Sequence, residues 1–409
     1  MNGEILAFIV YFVAIVGVGI YFFFKEKGDA TQANFFLGGR QMGPWVAAMS
    51  AQASDMSAWL LMGLPGSILA FGFGQMWIGI GLALGTAANW IFVAKRLRKF
   101  SSAAGDAITV PQYLGNRFLS KSNALQVICA IIFFVCFTIY VASAYVAGAS
   151  VFTAIFPSLS SHAAMIIFAL AMLLITFFGG FKAVCWTDFF QGILMFAALM
   201  TVPIVIAITK DMDPAALSVV YSYKDAVSGE MVECSFGTGL FDASWQDIIS
   251  GLAWGLGYFG MPHILVRFMS IEKPSMVKKS ATVAIIWVIC ALGCACLIAY
   301  FGRMFLAEEL LTAGAQKMVF IDFARKLFPS FIAGVLMAAI IAASMSTADS
   351  QLLVASSSFT SDIYQPILRK EASEKELLWV GRLVVVIVAV IAFFIASSKG
   401  SGAQAIMNL

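Results

Sequence analysis

The sequence predicts an all-α polytopic membrane protein, and two properties of the chain indicate it. Of the 409 residues, 61% are hydrophobic and only 11% are charged, which is more apolar material than one water-soluble core can bury. The apolar residues also fall in long segments, and a helix needs roughly 20 such residues to cross a bilayer. Segments of that length exceed what a spanning strand needs, so we expect helices.

Ten segments are apolar and long enough to span the membrane. The first, EILAFIVYFVAIVGVGIYFFF, lacks a basic n-region and a small-residue cleavage site, so we predict a retained helix rather than a cleaved signal peptide. We expect one transmembrane domain over residues 1–409, with spans at 4–24, 45–70, 76–94, 123–154, 163–181, 188–209, 246–268, 280–302, 330–356 and 378–397.

The distribution of Lys and Arg predicts the orientation of these spans. With the N-terminus outside, seventeen of the 25 basic residues fall on the cytosolic side and seven fall outside, and cytosolic loops normally hold the excess. The net charge of +3 is therefore a topology signal. Membrane lipid is the expected surrounding, and nothing in the charge pattern favours a nucleic-acid partner.

Gly and Pro interrupt two of the spans, at MGLPG (62–66) and at WGLGYFGMP (254–262). In transporters built from inverted repeats, broken helices at corresponding positions of the two halves indicate a binding site near the middle of the membrane. If 4–24 is an extra N-terminal helix, the breaks fall in the first and sixth of the remaining helices. That spacing predicts a five-plus-five repeat, with one half at 45–209 and an incomplete second half at 246–397.

Asp55 lies in an apolar span just before the first break. A carboxylate near the middle of a bilayer costs several kcal/mol, so it usually faces a cavity, an ion or a partner; a buried structural hydrogen bond is the alternative. Where a helix unwinds, its carbonyl oxygens lose their intrahelical donors. Such oxygens suit a hard cation, which thiol and imidazole ligands do not hold well.

The stretch AASMSTADSQLLVASSS carries hydroxyl groups in another apolar span. Ala343, Ser346 and Thr347 stand at i, i+3 and i+4 and share one helix face. This face could offer oxygens to sodium. Equally, serine and threonine hydroxyls in membrane helices often bond back to the carbonyl four residues earlier, and the spacing leaves both interpretations open.

Four aromatic residues lie beside the breaks or deep in spans, namely Trp59, Tyr140, Trp254 and Tyr258. Aromatic side chains in membrane proteins are usually interface anchors or core, although the same faces would suit the wall of a cavity. No arrangement typical of an enzyme's nucleophile and base is evident in the sequence, so we do not expect an enzyme.

Several stretches, in order along nearly the whole chain, resemble the sodium/solute symporter family: LGGR, SDMSAWLLMGLPG, TIYVASAYVAGA, GGFKAVCWTDFFQG, GLGYFGMPHILVRFM, AASMSTADSQLLVASSS and EKELLWVGR. The resemblance implies a leucine-transporter-type fold with one extra N-terminal helix. It also implies a bacterial plasma (inner) membrane protein that imports a small solute, expected to be proline, together with sodium. Members of this family usually continue for further helices, so we expect C-terminal helices beyond those in this chain.

The resemblance also implies roles for individual residues. Sodium would be held by the carbonyls of Ala53, Met56 and Ala343 and the hydroxyls of Ser346 and Thr347. Asp55 and Ser57 would set sodium affinity, Asp188 would lie on the ion's cytosolic exit route, and Arg40 would lie on the cytosolic side. The substrate pocket would be lined by Trp59, Gly63, Tyr140, Trp254, Tyr258 and Pro262.

Three alternatives remain on the sequence alone. The fold could carry another small solute, such as a different carboxylate, a sugar or a vitamin. It could instead be the membrane sensor domain of a signalling protein. A proton-driven carrier is the third, and Asp55 is its main support.

Overall fold

The structure is a computed structural model that describes residues 3–25, 31–224 and 230–398. Within them the chain is mostly helical, as predicted. Seven helices are long and apolar enough to cross a membrane, or eight when the bent pair Trp245–Phe259 and Pro262–Ser270 counts as one span. The helices are α1 Gly3–Lys25, α2 Gln32–Leu37, α3 Pro44–Ala53, α4 Gly63–Phe71, α5 Met76–Ala88, α6 Lys95–Ala103, α7 Val110–Arg117, α8 Ala124–Ile155, α9 Ser161–Thr209, α10 Trp245–Ala253, α11 Pro262–Ser270, α12 Val277–Phe305, α13 Ala307–Thr312, α14 Val319–Leu327, α15 Ser330–Phe359 and α16 Glu374–Ser397.

The ten predicted spans match this description except at 45–70. The predicted spans 163–181 and 188–209 correspond to the two parts of α9, which meet at a kink at Gly180, where the backbone departs from helical geometry (φ 56°, ψ −157°). That conformation favours glycine, and a Cβ there would lie 2.7 Å from a ring carbon of Phe35. The predicted span 45–70 is divided between α3 and α4, and neither helix alone is long enough to cross a membrane.

The first break lies earlier in the chain than the motif MGLPG. Helix α3 ends at Ala53, a short 3₁₀ turn covers Ser57–Leu60, and α4 begins at Gly63. The predicted position of the break, 62–66, was therefore wrong by several residues, because the Gly-Leu-Pro-Gly sequence forms the first turn of α4. Pro65 is tolerated there because the first N–H groups of a helix have no intrahelical partner.

The second break lies where it was predicted. Helix α10 runs into a 3₁₀ turn at Trp254–Phe259, Met261 is extended (φ −76°, ψ 102°), and α11 starts with Pro262 at its first position. The two parts of the span are bent by 44°. Proline suits the first helical position because its φ is already set for a helix.

Helix α15 lies at the centre of the bundle, where it packs against α8, α9 and α1. Helix α3 packs against α9 and α12, and the extra helix α1 lies against α9 and α15. Helix α5 approaches α10 and the following turn through paired glycines. A Cβ on Gly85 would lie 2.3 Å from the carbonyl oxygen of Gly255, and one on Gly81 would lie 2.3 Å from that of Gly251.

The two ends of the bundle differ in structure and charge. At one end, here called the hairpin face, strands β1 (Tyr221–Lys224) and β2 (Met231–Cys234) pair antiparallel, and α13 and α14 lie nearby. The Phe73 amide, just past α4, donates to the Gly237 carbonyl at 2.8 Å and ties the hairpin segment to the first broken span. The opposite end, here called the basic face, carries Arg40, α6, α7 and the start of α12.

Candidate ion and solute site

The two breaks meet in the interior of the bundle. The Tyr258 hydroxyl, on the second break, donates to an Asp55 carboxylate oxygen on the first break at 2.5 Å. The Asn89 side-chain amide donates to the Tyr258 carbonyl at 2.8 Å. Trp59 and Trp254 stack across the same junction, with ring centroids 6.0 Å apart and planes 16° from parallel. The sequence thus places a carboxylate and three aromatic rings where two helices are interrupted.

A cavity of about 320 Å³ lies between the breaks, α5 and α8. Its volume falls in the range of small-molecule sites. Gly63 is required at its wall, since a Cβ there would lie 2.3 Å from Trp59 Cδ1. Pro262 lies outside the wall, whereas its neighbour Met261 is part of it. The cavity includes five of the six residues predicted for the pocket, namely Trp59, Gly63, Tyr140, Trp254 and Tyr258, together with Asp55, Met56 and Ser57.

The predicted sodium ligands cluster next to this cavity. The Ser346 hydroxyl on α15 donates to the carbonyl oxygen of Ala53, the last residue of α3, at 2.7 Å. The Ser346 and Thr347 hydroxyls also reach the Ala343 carbonyl, at 3.2 Å and 2.9 Å. Four of the five predicted oxygen groups therefore converge, all on fully buried residues. Met56 is buried beside them and borders the cavity.

Backbone strain marks the same segment. Ser57 has a positive φ of 50°, which is uncommon for a residue other than glycine. Such conformations persist where the surroundings impose them and are concentrated at functional sites. The strained residue lies between the buried Met56 and the stacked Trp59, so the break is held in a defined shape.

Asp188 lies outside the cavity, one helical turn from the predicted sodium ligands toward the basic face. One of its oxygens accepts from the Ser50 hydroxyl at 2.7 Å and from the Arg267 guanidinium at 3.0 Å. Arg267 also donates to Ser350, which follows Ser346 by one turn of α15. Asp188 and Arg267 are almost fully buried, so each charge is compensated by the other.

Several buried charged residues were not expected from the sequence, and two of them lie on or against α15. Arg267, near the end of the predicted span 246–268, is 1% exposed and pairs with Asp188. Asp349, in the stretch STADSQ, is fully buried and accepts from the Thr176 hydroxyl at 2.8 Å. The signal was available in both cases, because an ionisable side chain inside an apolar span needs a compensating partner.

Arg40 lies at the basic face, and the hydrogen bonds and ion pair described for it involve neither the cavity wall nor the predicted sodium ligands. Its guanidinium pairs with Asp106 at 2.8 Å and donates to the carbonyls of Met269 and Ala107 at 2.7 Å and 2.8 Å. Burial lowers the pKa of this guanidinium, and Asp106 partly offsets that effect. The residue joins the chain before α3 to the end of α11 and to the connection after α6.

Lys317 is a cavity residue that the sequence did not single out. It lies between α13 and α14 on the hairpin face and forms part of the cavity wall. Its backbone packs on α4, where a Cβ on Gly66 would lie 3.1 Å from the Lys317 Cα. Burial lowers the pKa of its ammonium group. The residues of the wall thus include one acidic residue, Asp55, and one basic residue, Lys317.

A bundle of membrane-spanning helices in which two broken helices meet at a central cavity defines a secondary transporter. A family model described as the sodium:solute symporter family matches residues 35–409. The chain belongs to this family, whose members are transporters rather than enzymes.

Individual relatives agree with the family assignment. The chain is 41% identical to the sodium/proline symporter of Escherichia coli (strain K12), over 96% of this chain and 77% of the relative. It is also 41% identical to sodium/proline symporter 2 of Staphylococcus saprophyticus, over 98% of this chain and 76% of the relative.

Solved structures establish the fold. A Na⁺-coupled sialic acid symporter in a substrate-bound outward-open state has a TM-score of 0.76 at 21% identity, covering 97% of this chain and 82% of that one. A nucleobase-cation-symport-1 family transporter has a TM-score of 0.55 at 12% identity, covering 92% and 76%. The predicted leucine-transporter-type fold is confirmed.

Proposed function

We propose that this protein imports proline together with sodium, down the sodium gradient, by alternating access. The observation that carries the proposal is the buried oxygen cluster of Ala53, Ala343, Ser346 and Thr347 beside a cavity at the junction of two broken helices. The relatives named sodium/proline symporters, at about 40% identity over nearly the whole chain, support the choice of ion and solute.

The cluster suits sodium because the atoms that would coordinate the ion are all neutral oxygens. A hard monovalent cation would use the lone pairs of the Ser346 and Thr347 hydroxyls and of the Ala53 and Ala343 carbonyls, with the Met56 carbonyl as the fifth ligand. The cation would then fix the end of α3 against α15. Asp55 and Ser57, on the same break, would raise sodium affinity through negative potential and through the shape of the unwound segment.

The cavity suits a small zwitterion with an apolar ring. Stacked Trp59 and Trp254 offer flat apolar faces, and Tyr140 and Tyr258 add polar edges. Asp55 and Lys317 place opposite charges in the same wall. Pro262 contributes to this pocket by starting α11 immediately after Met261, which faces the cavity.

We further propose how the chain is arranged in the membrane. Positive charge is concentrated at the basic face, so that face would be cytosolic and the N-terminus outside the plasma membrane. Residues 45–209 would form the first five-helix repeat, with α1 as the extra helix, and residues 246–397 would belong to the second repeat. Asp188 would then lie between the ion ligands and the cytosol, on the exit route of sodium.

Uptake of radiolabelled proline into proteoliposomes tests the proposal. We expect accumulation when an inward sodium gradient is imposed and background uptake when choline replaces sodium. Unlabelled sugars and other carboxylates in excess should compete less well than unlabelled proline. If another unlabelled solute inhibits sodium-dependent uptake better than proline does, that solute is the substrate instead of proline. Proline uptake that does not depend on sodium would reject symport.

A further inference from the structure

A basic stripe continues the lipid-facing surface of the helix that contains α5 and α6. Ile91 and Phe92, in the π-helical turn between α5 and α6, are 59% and 61% exposed. Lys95, Arg96 and Lys99 follow on the same side and are exposed. The opposite side of α6 is buried at Leu97, Arg98 and Ser101.

The change from apolar to basic residues along one exposed stripe is typical of a helix that passes from hydrocarbon into the lipid headgroups. The span Phe73–Ala103 is apolar enough to cross a membrane, and in that position the exposed Ile91 and Phe92 would face hydrocarbon. Lys95 and Lys99 come one and two turns later on the same stripe. They would then lie at the depth of the lipid headgroups, on the side that faces lipid rather than the protein.

These charges are not compensated by the protein. The ion pairs within the described part of the chain involve none of the side chains of Lys95, Arg96 and Lys99. Glu272, in the connection before α12, already pairs with Lys273 at 3.3 Å. The described part of the protein therefore offers these three cations no carboxylate partner, and an anionic lipid headgroup beside them would supply one.

A neighbouring helix adds a further cation at the same end of the molecule. Helix α12 packs against α5 and against the turn Asn89–Ala94. Its own lipid-facing side carries Ile286 and Ile289, 56% and 58% exposed, and ends at the exposed Lys279. The Lys279 ammonium lies 5.7 Å from the ring centroid of Trp45, which is 52% exposed, an aromatic and cationic pair typical of the membrane interface.

We propose that this surface binds an anionic phospholipid at the basic face. The headgroup phosphate lies among Lys95, Lys99 and Lys279, and the acyl chains lie along the apolar stripes of the two helices. Basic side chains next to a membrane are attracted to anionic lipid, and here two helices present them together. The site is separate from the central cavity and does not depend on which solute is carried.

Spin-labelled lipids test this inference on the full chain reconstituted in phosphatidylcholine vesicles. The measurement is the motionally restricted fraction of spin-labelled phosphatidylglycerol divided by that of spin-labelled phosphatidylcholine. We expect the wild type to prefer phosphatidylglycerol. Lys95→Gln/Lys99→Gln should lower the preference by at least about five-fold, since each basic residue near the surface contributes a factor of about that size.

The matched control removes the same charge from the same face. Lys121→Gln/Lys370→Gln changes two exposed lysines in connections between helices and should retain the wild-type preference. Lys279→Gln, on the second helix, should lower it independently. An equal loss in the control, or a wild type without preference for phosphatidylglycerol, would overturn the proposal. Each variant is first required to remain monodisperse in size-exclusion chromatography.

Discussion

Ser346 shows how the structure resolves an ambiguity that the sequence left. Hydroxyls in a membrane helix either bond back to their own helix or face another element, and the spacing of Ala343, Ser346 and Thr347 suits both. The Thr347 hydroxyl bonds back to Ala343 at 2.9 Å, whereas that of Ser346 also crosses to the Ala53 carbonyl at 2.7 Å. The bond between helices makes this cluster a candidate ion site.

Removing either hydroxyl should weaken sodium binding more than it lowers the stability of the fold. Ser346→Ala and Thr347→Ala should each raise the sodium concentration for half-maximal uptake by about ten-fold, the factor expected for one lost polar contact to a charged group. Ser357→Ala is the control, because among the described residues that hydroxyl on α15 bonds to the Val354 carbonyl of its own helix and to no other helix. Unchanged sodium dependence in both test variants would reject the site.

Asp55 should act through its charge rather than its shape. In Asp55→Asn the amide oxygen can still accept from Tyr258, but the negative potential is lost. Two charges several ångströms apart at intermediate dielectric interact by a few kcal/mol, so the sodium requirement should rise at least about 30-fold. Asp55→Glu, which keeps and displaces the charge, should retain part of the affinity. An Asn variant with wild-type sodium dependence would contradict this role.

Replacing Trp254 should weaken solute binding rather than sodium binding. Because it stacks on Trp59 in the cavity wall, Trp254→Ala should raise the proline concentration for half-maximal uptake about ten-fold or more at saturating sodium, as expected for loss of an aromatic contact. Trp245→Ala is the control, since that side chain lies at the start of α10 and is 67% exposed. A normal proline affinity in Trp254→Ala would place the pocket elsewhere.

At the scale of helices, the sequence predicted that two spans are broken but located only one break correctly. WGLGYFGMP contains the second break, and Pro262 begins the helix after it. In the first span the glycine and proline motif belongs to the first turn of α4, and the break lies before it, at residues that contain neither glycine nor proline. Tertiary contacts decide that position, among them the bonds from Ser346 to Ala53 and from Tyr258 to Asp55.

Glycine pairs explain how closely the second broken span approaches α5. Gly81 and Gly85 on α5 face Gly251 and Gly255 so closely that a Cβ on Gly85 would lie 2.3 Å from a backbone oxygen. Small residues four apart allow helix backbones to approach in this way. The pattern GLALG at 81–85 and GLAWG at 251–255 was visible in the sequence, but which two helices pair is a property of the fold.

A methyl group at this contact should be costly. Gly85→Ala should lower the thermal midpoint of the purified protein by several degrees, because overpacking a close contact usually costs about 1–3 kcal/mol. It should also reduce sodium-dependent uptake by separating α5 from the second break. Gly293→Ala is the matched control, since a Cβ there meets nothing within 4 Å. Equal midpoints for the two variants would refute the role of the contact.

At the scale of the whole molecule, hydropathy was sufficient to predict a helical membrane bundle, whereas the extra N-terminal helix followed from the positions of the two breaks and from the family resemblance. They could not pair Asp188 with Arg267, because these residues are 79 positions apart in the chain. Nor could they place Lys317 in the cavity, since it comes from a connection on the hairpin face. Local pattern predicts which helices exist, and long-range packing decides which side chains meet.

The central claim is that ion and solute sites at the two breaks are coupled, so each ligand should strengthen binding of the other. Coupling between two sites is typically 1–3 kcal/mol, which is roughly 5- to 150-fold in affinity. The sites share the first break, where Ala53 belongs to the ion cluster and Trp59 to the cavity wall. Ion binding at Ala53 would therefore bias the shape of the solute cavity.

Equilibrium binding of radiolabelled proline to the purified protein, with sodium and with choline in its place, tests this claim most directly. We predict that sodium lowers the dissociation constant at least about five-fold and that Ser346→Ala/Thr347→Ala removes this effect while proline still binds in choline. The same proline affinity in sodium and in choline for the wild-type protein would contradict the account.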